Sequence, residues 1–166
     1  ADASGYVRMG YGYDYDSRKS RLTYRAPGEG TFHVIDRADT KKDEVLIFPA
    51  LFLADPAKAL TFADDEEGFT RLYDLALPTL ERGASRFGVK GYDIGSIIRN
   101  AAGDDVAGIW VTEDRPRIHW LDAGLAETQA LFDKAVGPGK AQIIDWDQTR
   151  TKLLVLVGGP DQAGGY

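Results

Sequence analysis

The fold is decided by residues 104–166, which read DDVAGIWVTEDRPRIHWLDAGLAETQALFDKAVGPGKAQIIDWDQTRTKLLVLVGGPDQAGGY. Two apolar, strand-like runs come first, at 107–111 and 117–122. An amphipathic run over 124–136 follows, and then two more strand-like runs. This order of short apolar runs around one helical pattern predicts a β-rich fold with a single inserted helix.

The same stretch echoes an earlier part of the chain. Phe62 and Asp74 of the earlier part correspond to Trp110 and Asp122, both at an offset of 48 residues (110 − 62 and 122 − 74). Leu156 lies in a third copy and matches Trp110 at an offset of 46 (156 − 110). The alternative interpretation of these matches is a chance alignment of short β-hairpins.

A period near 40–50 residues, built from about four strands, is typical of the blade of a β-propeller. One such sheet cannot cover its own faces, so it must stack on its neighbours. The sequence therefore predicts an all-β fold, a partial β-propeller of about three four-stranded blades. Residues 1–166 are expected to form a single propeller segment.

The inserted helix is predicted near residues 124–136. Asp122 can cap its N-terminus, and Gly137, which Pro138 follows, is expected to end it. In the register of the repeat, this helix takes the place of the outermost strand of a blade. A helix that covers a sheet edge protects that edge from pairing with other chains.

Composition limits the classes of partner. The chain has 43% hydrophobic and 28% charged residues, which argues against disorder, and a formal net charge of −6. An acidic chain with dispersed Lys and Arg gives no reason to expect nucleic acid. The chain has no cysteine, which excludes disulfides and thiolate chemistry, and no apolar run long enough for a membrane helix. We expect neither nucleic acid nor membrane as a partner.

Three stretches, one apolar, one charged and one turn-like, carry specific expectations. Residues 45–53 are continuously apolar apart from Pro49, which predicts a strand buried on both faces with a bulge or a strand end at the proline. Residues 36–43 read as a charged loop, and 160–165 as a turn.

Because the chain starts at Ala1 and stops after that turn, we expect a piece of a larger protein. A processed N-terminus and a frayed C-terminus are the alternative.

No residue pattern identifies a catalytic or metal site. His33 and His119 lie on predicted strands without a second ligand at suitable spacing. The acidic run 64–67 lacks the alternating ligands of a calcium loop, so a solvated turn is the better interpretation. Ser96, in Gly95-Ser96-Ile97, has strand-like flanks rather than a nucleophile elbow. We predict no catalytic residue, no cofactor and no metal for this chain.

The tyrosine-rich N-terminus has two interpretations. Tyr6, Tyr11, Tyr13 and Tyr15 alternate with small and polar residues. They are expected to be half-buried strand positions, and the alternative is an aromatic binding surface.

A family resemblance rests on short motifs in residues 91–166. They are Gly91-Tyr92-Asp93-Ile94, Ile98-Arg99-Asn100, Asp114-Arg115-Pro116-Arg117, His119-Trp120-Leu121-Asp122, Leu125-Ala126, Gln129-Ala130, Asp133-Lys134-Ala135, Ile143-Ile144-Asp145-Trp146, Leu153-Leu154-Val155, Asp161 and Gly164-Gly165-Tyr166. Together they resemble a propeller blade of the bacterial prolyl-oligopeptidase-like serine peptidases, the relatives of acylaminoacyl and dipeptidyl peptidases. Ala123 stands where members of that family often have Pro, and residues 1–90 are only compatible in pattern.

The resemblance implies a parent protein with an N-terminal propeller and a C-terminal α/β-hydrolase domain. The family's catalytic Ser, Asp and His belong to that second domain, so no catalytic residue transfers to this chain. The implied role is a non-catalytic gate that admits oligopeptides, with the hydrolase domain and the peptide substrate as partners. A secreted or periplasmic parent is plausible by the habit of the family.

Two other functions stay open at the level of the sequence. One is a free-standing β-rich binding module for carbohydrate or protein. The other is a small β-rich hydrolase that uses a pair of carboxylates. Because a partial propeller exposes apolar faces and strand edges, we also expect the isolated chain to self-associate.

Overall fold

The computed structural model describes residues 1–159 and 162–165. The chain is mostly β, with 47% strand and 11% helix. Its described residues form four small antiparallel sheets and one α-helix, and no sheet closes on itself. Contacts divide the chain into two compact units, Ala1–Asp93 and Ile94–Tyr166.

The first unit contains two sheets, each built from strands that are consecutive in the chain. The first has the order β1-β2-β3 and the second β4-β5-β6-β7. The strands are β1 Met9–Asp14, β2 Lys19–Tyr24, β3 His33–Asp39, β4 Leu51–Phe52, β5 Lys58–Asp64, β6 Thr70–Ala76 and β7 Arg82–Phe87.

The core of the first unit follows from alternation along the strands. In β2 the side chains of Ser20, Leu22 and Tyr24 are buried, whereas Lys19 and Arg21 face solvent, as the two-residue period of a strand requires. The buried cluster brings both sheets together through Leu22, Tyr24, Phe52, Ala59, Leu75, Leu77 and Leu80. Complete burial of a leucine such as Leu22 stabilises the fold by about 1.5–3 kcal/mol.

The second unit contains two three-stranded sheets and the helix. The sheet orders are β10-β9-β8 and β11-β12-β13. The elements are β8 Ile94–Arg99, β9 Val106–Thr112, β10 Pro116–Trp120, α1 Ala123–Val136, β11 Ala141–Trp146, β12 Leu153–Gly159 and β13 Gln162–Gly165.

The helix was predicted to within one residue. The Asp122 side chain accepts a hydrogen bond from Leu125 N at 3.0 Å, and α1 ends at Gly137, which has a φ of 103°. Leu125 is buried and Phe132 packs against the same core, but Val136 is exposed. The apolar face therefore ends one turn before the helix does.

The helix also covers a strand edge, but this edge belongs to the following sheet and not to the β10-β9-β8 sheet, whose outer strand the helix was expected to replace. Gln129 Nε2 donates to Ala141 O at 2.8 Å, and its Oε1 accepts from Ile143 N at 3.3 Å. These two backbone groups belong to β11, the edge strand of its sheet. A side-chain amide thus takes the place of a neighbouring strand at this point, which satisfies groups that would otherwise pair with another chain.

Part of the repeat is visible in the strands: β5 matches β9, whereas Asp74 lies inside β6 and Asp122 lies beyond β10, at the N-terminus of α1. At an offset of 48 residues, the bounds of β5 fall on those of β9 (58 + 48 and 64 + 48). Ala59 and Ala107 are both buried, while Phe62 and Trp110 are both partly exposed. The sheets differ from the prediction in number and size, since four are present and one of the four, within the described residues, has four strands.

Residues 45–53 do not form the expected buried strand. Only Leu51–Phe52 is a strand, and Val45 is 84% exposed. Pro49 has no N–H to donate, so pairing with β5 begins only after it, where Ala50 N donates to Leu60 O at 2.7 Å. Pro49 was expected to cause a bulge or to end the strand, and the structure shows that the strand begins only after it.

Two loop predictions are also corrected. The segment 36–39 continues β3, where Asp39 pairs with Lys19 across the ladder, and the loop begins only with a short 3-10 turn at Thr40–Lys42. Gln162–Gly165, predicted as part of a turn, forms β13. Pro160, Asp161 and Tyr166 lie outside the described residues.

In the part of the chain that the structure describes, no helix is both long and apolar enough to cross a membrane.

Candidate functional site

The two histidines lie in different surroundings. His33 is exposed on β3 and lines an apolar cavity of the first unit. His119, on β10, places its Nε2 2.6 Å from Glu113 Oε1. Among the described residues no group of three or more His, Cys, Asp or Glu side chains is arranged to hold a metal ion.

A carboxylate lies beside His119 although none stands at ligand spacing in the sequence. Glu113 lies in the turn between β9 and β10, and the antiparallel hairpin folds it back toward His119. The same carboxylate lies 3.2 Å from Arg117 Nε. A spacing of six residues matches no ligand motif, so only the turn at 113–115 could have indicated this contact. The three side chains tie the two strands together at the turn.

The acidic run 64–67 forms a turn held by its own side chains. Asp65 Oδ1 accepts from Glu67 N at 2.9 Å and from Phe69 N at 3.0 Å. Its Oδ2 accepts from Arg71 Nε at 2.7 Å. The backbone hydrogen bond from Phe69, with smaller contributions from Glu67 and Arg71, lowers the pKa of Asp65. These bonds stabilise the charged carboxylate within a turn, in agreement with the structural interpretation.

Asp14 plays the corresponding part at the β1–β2 turn. Its Oδ1 accepts from Asp16 N at 3.0 Å and from Ser17 N at 3.2 Å. The hydrogen bonds from Ser17 and then Asp16 lower the pKa of Asp14. Ser96 lies inside β8, so Gly95-Ser96-Ile97 is strand, as expected.

A polar basin of about 720 Å³ opens on the second sheet of the first unit. Its wall contains Arg71, which is 7% exposed and donates from Nη1 to Val89 O at 2.6 Å and Tyr92 O at 2.8 Å. Arg71 also pairs with Asp65, so its hydrogen bonds hold the loop after β7 against β6. The lining residues are Asp64, Asp65, Glu66, Glu67, Arg71, Tyr73, Arg82, Ser85, Gly88 and Lys90.

An apolar cavity of about 470 Å³ is the better ligand site, since small-molecule sites are concave and mostly apolar with a few polar groups. It lies where the turns at 56–57 and 77–78 of the second sheet face β2 and β3 of the first. Most of its wall is aliphatic or proline. The lining residues are Tyr24, Ala26, Pro27, Glu29, His33, Ile35, Pro56, Ala57, Leu77 and Pro78.

Arg8 lies directly behind this cavity wall, and sequence reasoning missed it. The side chain is 1% exposed and donates from Nη2 to the Tyr24 hydroxyl and to Pro56 O, the latter at 2.6 Å. Its guanidinium carbon lies 4.7 Å from the centre of the Phe52 ring and 5.2 Å from that of Tyr24. The buried Nε has no hydrogen-bond partner. No motif marks Arg8, so only the packing reveals it.

The N-terminal tyrosines divide between the two interpretations. Tyr6 and Tyr13 are half-buried, whereas Tyr11 is 59% and Tyr15 85% exposed. Tyr11 lies 5.8 Å from Phe48 and Tyr13 lies 4.9 Å from Tyr15, measured between ring centres. The exposed rings leave the aromatic surface open as a binding site.

The described residues thus offer an apolar cavity, a polar basin and an aromatic surface in the first unit, and a His–carboxylate pair in the second. The cavity alone combines an apolar wall with a buried charge behind it. Comparison of the chain with models of known protein families, with curated proteins and with solved structures found no match.

Proposed function

We propose that this chain is the non-catalytic propeller region of a serine peptidase that cleaves oligopeptides, where it restricts access to a hydrolase domain. The observation that supports this most is the spacing of equivalent strands. The second strand of each sheet begins at Lys19, Lys58, Val106 and Leu153. The intervals are 39, 48 and 47 residues (58 − 19, 106 − 58 and 153 − 106), within or close to the range of propeller blades.

The organisation of each sheet is also what the proposal requires. Each sheet is an antiparallel meander of strands that are consecutive in the chain, as in a propeller blade. In chain order, α1 is the fourth element after β8, β9 and β10, just as β7 is the fourth element after β4, β5 and β6. The resemblance of residues 91–166 to the prolyl-oligopeptidase-like peptidases adds the function, because the family's propeller admits peptides and its hydrolase domain cuts them.

The reading frame beyond Tyr166 tests the proposal at once. We expect further strands that continue the repeat, followed by an α/β-hydrolase sequence with a G-x-S-x-G nucleophile motif. A stop codon directly after Tyr166, or a downstream sequence without that motif, contradicts the proposal.

The complete protein supplies a second test. We expect a fluorophosphonate probe to label the catalytic serine of the complete protein. We also expect the complete protein to cleave a short peptide much faster than a long unfolded polypeptide that contains the same cleavage sequence. Equal rates on both substrates would contradict a gating role even if the serine is labelled.

A second candidate function is a free-standing binding module for carbohydrate or protein. The exposed rings of Tyr11 and Tyr15 favour it, because amphipathic aromatic side chains are typical of binding surfaces. This function predicts saturable binding of a glycan or protein by the 166-residue chain itself. Replacing Tyr11 and Tyr15 by Ala is then expected to weaken that binding, with Tyr92→Ala as the control on another part of the surface.

A further inference from the structure

Among the described residues, Arg8 has no acidic partner for the positive charge that it carries into the interior of the first unit. None of the ion pairs among the described residues includes it. The charge of Arg8 is the smallest of the causes that lower the pKa of Asp2, and the hydrogen bond from Ser4 is the largest. Buried charges in folded proteins are normally paired. The Arg8 guanidinium would therefore be stabilised by a bound anion.

The groups around Arg8 lead from its charge to the apolar cavity. Arg8 donates to the Tyr24 hydroxyl oxygen and to Pro56 O. Tyr24 and Pro56 both line the cavity. Because the Tyr24 oxygen already accepts from a cation, its own proton is polarised and is a strong donor. The present acceptor of that proton, Pro56 O, is 3.4 Å away, which is long for an O–H···O hydrogen bond.

The rest of the cavity defines the body of the ligand. Ile35, Leu77 and Pro78 provide an apolar wall. The Glu29 side chain is exposed, and its Oε2 already accepts from Ala26 N at 2.7 Å, so it serves the turn that contains it. His33 is exposed beside it. The volume of about 470 Å³ is within the range of small-molecule sites.

We propose that this cavity binds a small carboxylic acid with an apolar body. The carboxylate accepts the hydrogen bond of the Tyr24 hydroxyl, and its charge balances that of Arg8. The apolar body lies against Ile35 and Leu77. This site is independent of the proposed peptidase role, since it requires only the first unit and its own residues.

The test is a titration of the 166-residue chain with hydrocinnamate and with phenylpropanol, which share a body and differ in the charged group. Calorimetry measures both affinities, and methyl NMR reports on Ile35 and Leu77. We expect hydrocinnamate to bind at least about tenfold more tightly than the alcohol, because hydrogen bonds to charged groups are roughly twice as strong as neutral ones. Both ligands are expected to shift the Ile35 and Leu77 methyl signals.

Two variants separate the donor from the charge. Tyr24→Phe keeps the ring and removes the hydroxyl, and is expected to weaken hydrocinnamate about tenfold while leaving phenylpropanol within about twofold. Arg8→Met removes the charge and is expected to abolish the preference for the acid. Tyr15→Phe, at an exposed tyrosine outside the cavity, is the control and is expected to bind like the wild type.

Three results would overturn the proposal. They are equal affinity of the wild type for acid and alcohol, methyl shifts confined to other parts of the chain, and the absence of saturable binding at millimolar acid. The wild-type comparison decides the matter even if a variant fails to fold. A missing hydrolase sequence downstream of Tyr166 would refute the peptidase role and leave this result unaffected.

Discussion

Arg8 and Arg71 are both buried in the first unit, in opposite electrostatic surroundings. Arg71 pairs with Asp65 through Nε and donates from Nη1 to two carbonyl oxygens, so its charge is compensated. Arg8 donates to one hydroxyl and one carbonyl and lies over two aromatic rings. Cation–π contacts offset only part of the cost of desolvating a guanidinium.

Replacing Arg8 by Met is therefore expected to leave the free energy of unfolding unchanged within about 1 kcal/mol, or to raise it. The methionine fills the same space, and Tyr24 can then donate to Pro56 O without competition. Urea unfolding measures the change. Leu22→Ala, in the same core, is the contrasting variant and is expected to cost about 2–5 kcal/mol. A loss for Arg8→Met as large as for Leu22→Ala would show that Arg8 is a structural necessity.

Gly88 is expected to be intolerant of any side chain. A Cβ at this position would lie 2.1 Å from Arg71 Cδ, and Arg71 cannot move without losing its bonds to Asp65, Val89 and Tyr92. Gly88→Ala should lower the free energy of unfolding by about 1–3 kcal/mol. Gly30→Ala is the control, because a Cβ there meets no atom within 4 Å. Similar effects of the two substitutions in urea unfolding would contradict the steric argument.

At the scale of elements, Asp122 joins the helix α1 to the β11–β12 hairpin. Its Oδ1 accepts from Leu125 N at the helix N-terminus and from Arg150 Nη1 at 2.8 Å, and its Oδ2 accepts from Arg150 Nη2. The bond to Arg150 is the main cause of the lowered pKa of Asp122, and the bond from Leu125 contributes. One carboxylate thus caps the helix and fixes the turn of the hairpin.

Asp122→Ala is expected to lower the free energy of unfolding by about 1–2 kcal/mol. Most of this loss comes from the cap, because the ion pair with Arg150 is partly exposed and contributes less. Urea unfolding and the helical circular dichroism signal measure it. Glu127→Ala, at an exposed position of the same helix, should cost little. If Glu127→Ala costs as much as Asp122→Ala, the cap is not what stabilises α1.

The turn of the β11–β12 hairpin is expected to weaken in acid. Asp147 accepts from the Thr149 and Thr151 hydroxyls and from Lys152 N. These bonds, that of Thr149 first, lower the pKa of Asp147 from 3.8 to about 2. Because the folded pKa is the lower one, the stabilisation is complete above pH about 4 and is lost as the pH falls through about 2.

Asp147→Asn should flatten the dependence of stability on pH in that window, and Thr149→Ala should flatten it in part. Thermal unfolding between pH about 2 and about 5 measures the effect. An unchanged slope in Asp147→Asn would mean that this carboxylate contributes nothing to the acid sensitivity of the fold.

At the scale of the whole molecule, each compact unit has its own core and also leaves apolar side chains in contact with solvent. In the first unit Val45 is 84% and Phe48 48% exposed, and in the second Leu131 is 67% exposed. Exposed apolar patches and open strand edges mark interaction surfaces or aggregation sites. A protein that buries these surfaces against a partner has no need to make them polar.

We expect the isolated chain to self-associate for this reason. Sedimentation velocity over a range of concentrations should show a rising sedimentation coefficient. Val45→Ser and Leu131→Ser together should reduce it, while Lys42→Ser should not. A monodisperse monomer at all concentrations would contradict the expectation.

Local chemistry accounts for the parts of the fold that the sequence determined by itself. Asp122 and Gly137 mark the ends of α1, because capping depends on neighbouring residues alone. Short apolar runs predicted strands such as β5 and β9, and their common offset of 48 residues follows from the sequence alone. The turn at residues 64–67 was also predicted from neighbouring residues.

Tertiary structure decided the remainder, because packing joins residues that no local pattern relates. Val45 and Phe48 look like core residues in the sequence and are exposed, since Pro49 delays pairing with β5. Glu113 reaches His119 only through the hairpin. Arg8 shows the difference most clearly. The energetic cost of burying its charge and its proposed role in ligand binding both depend on Tyr24, Phe52 and Pro56, which lie 16, 44 and 48 residues away (24 − 8, 52 − 8 and 56 − 8). The energy of a buried charge depends on its surroundings, and only the fold brings those together.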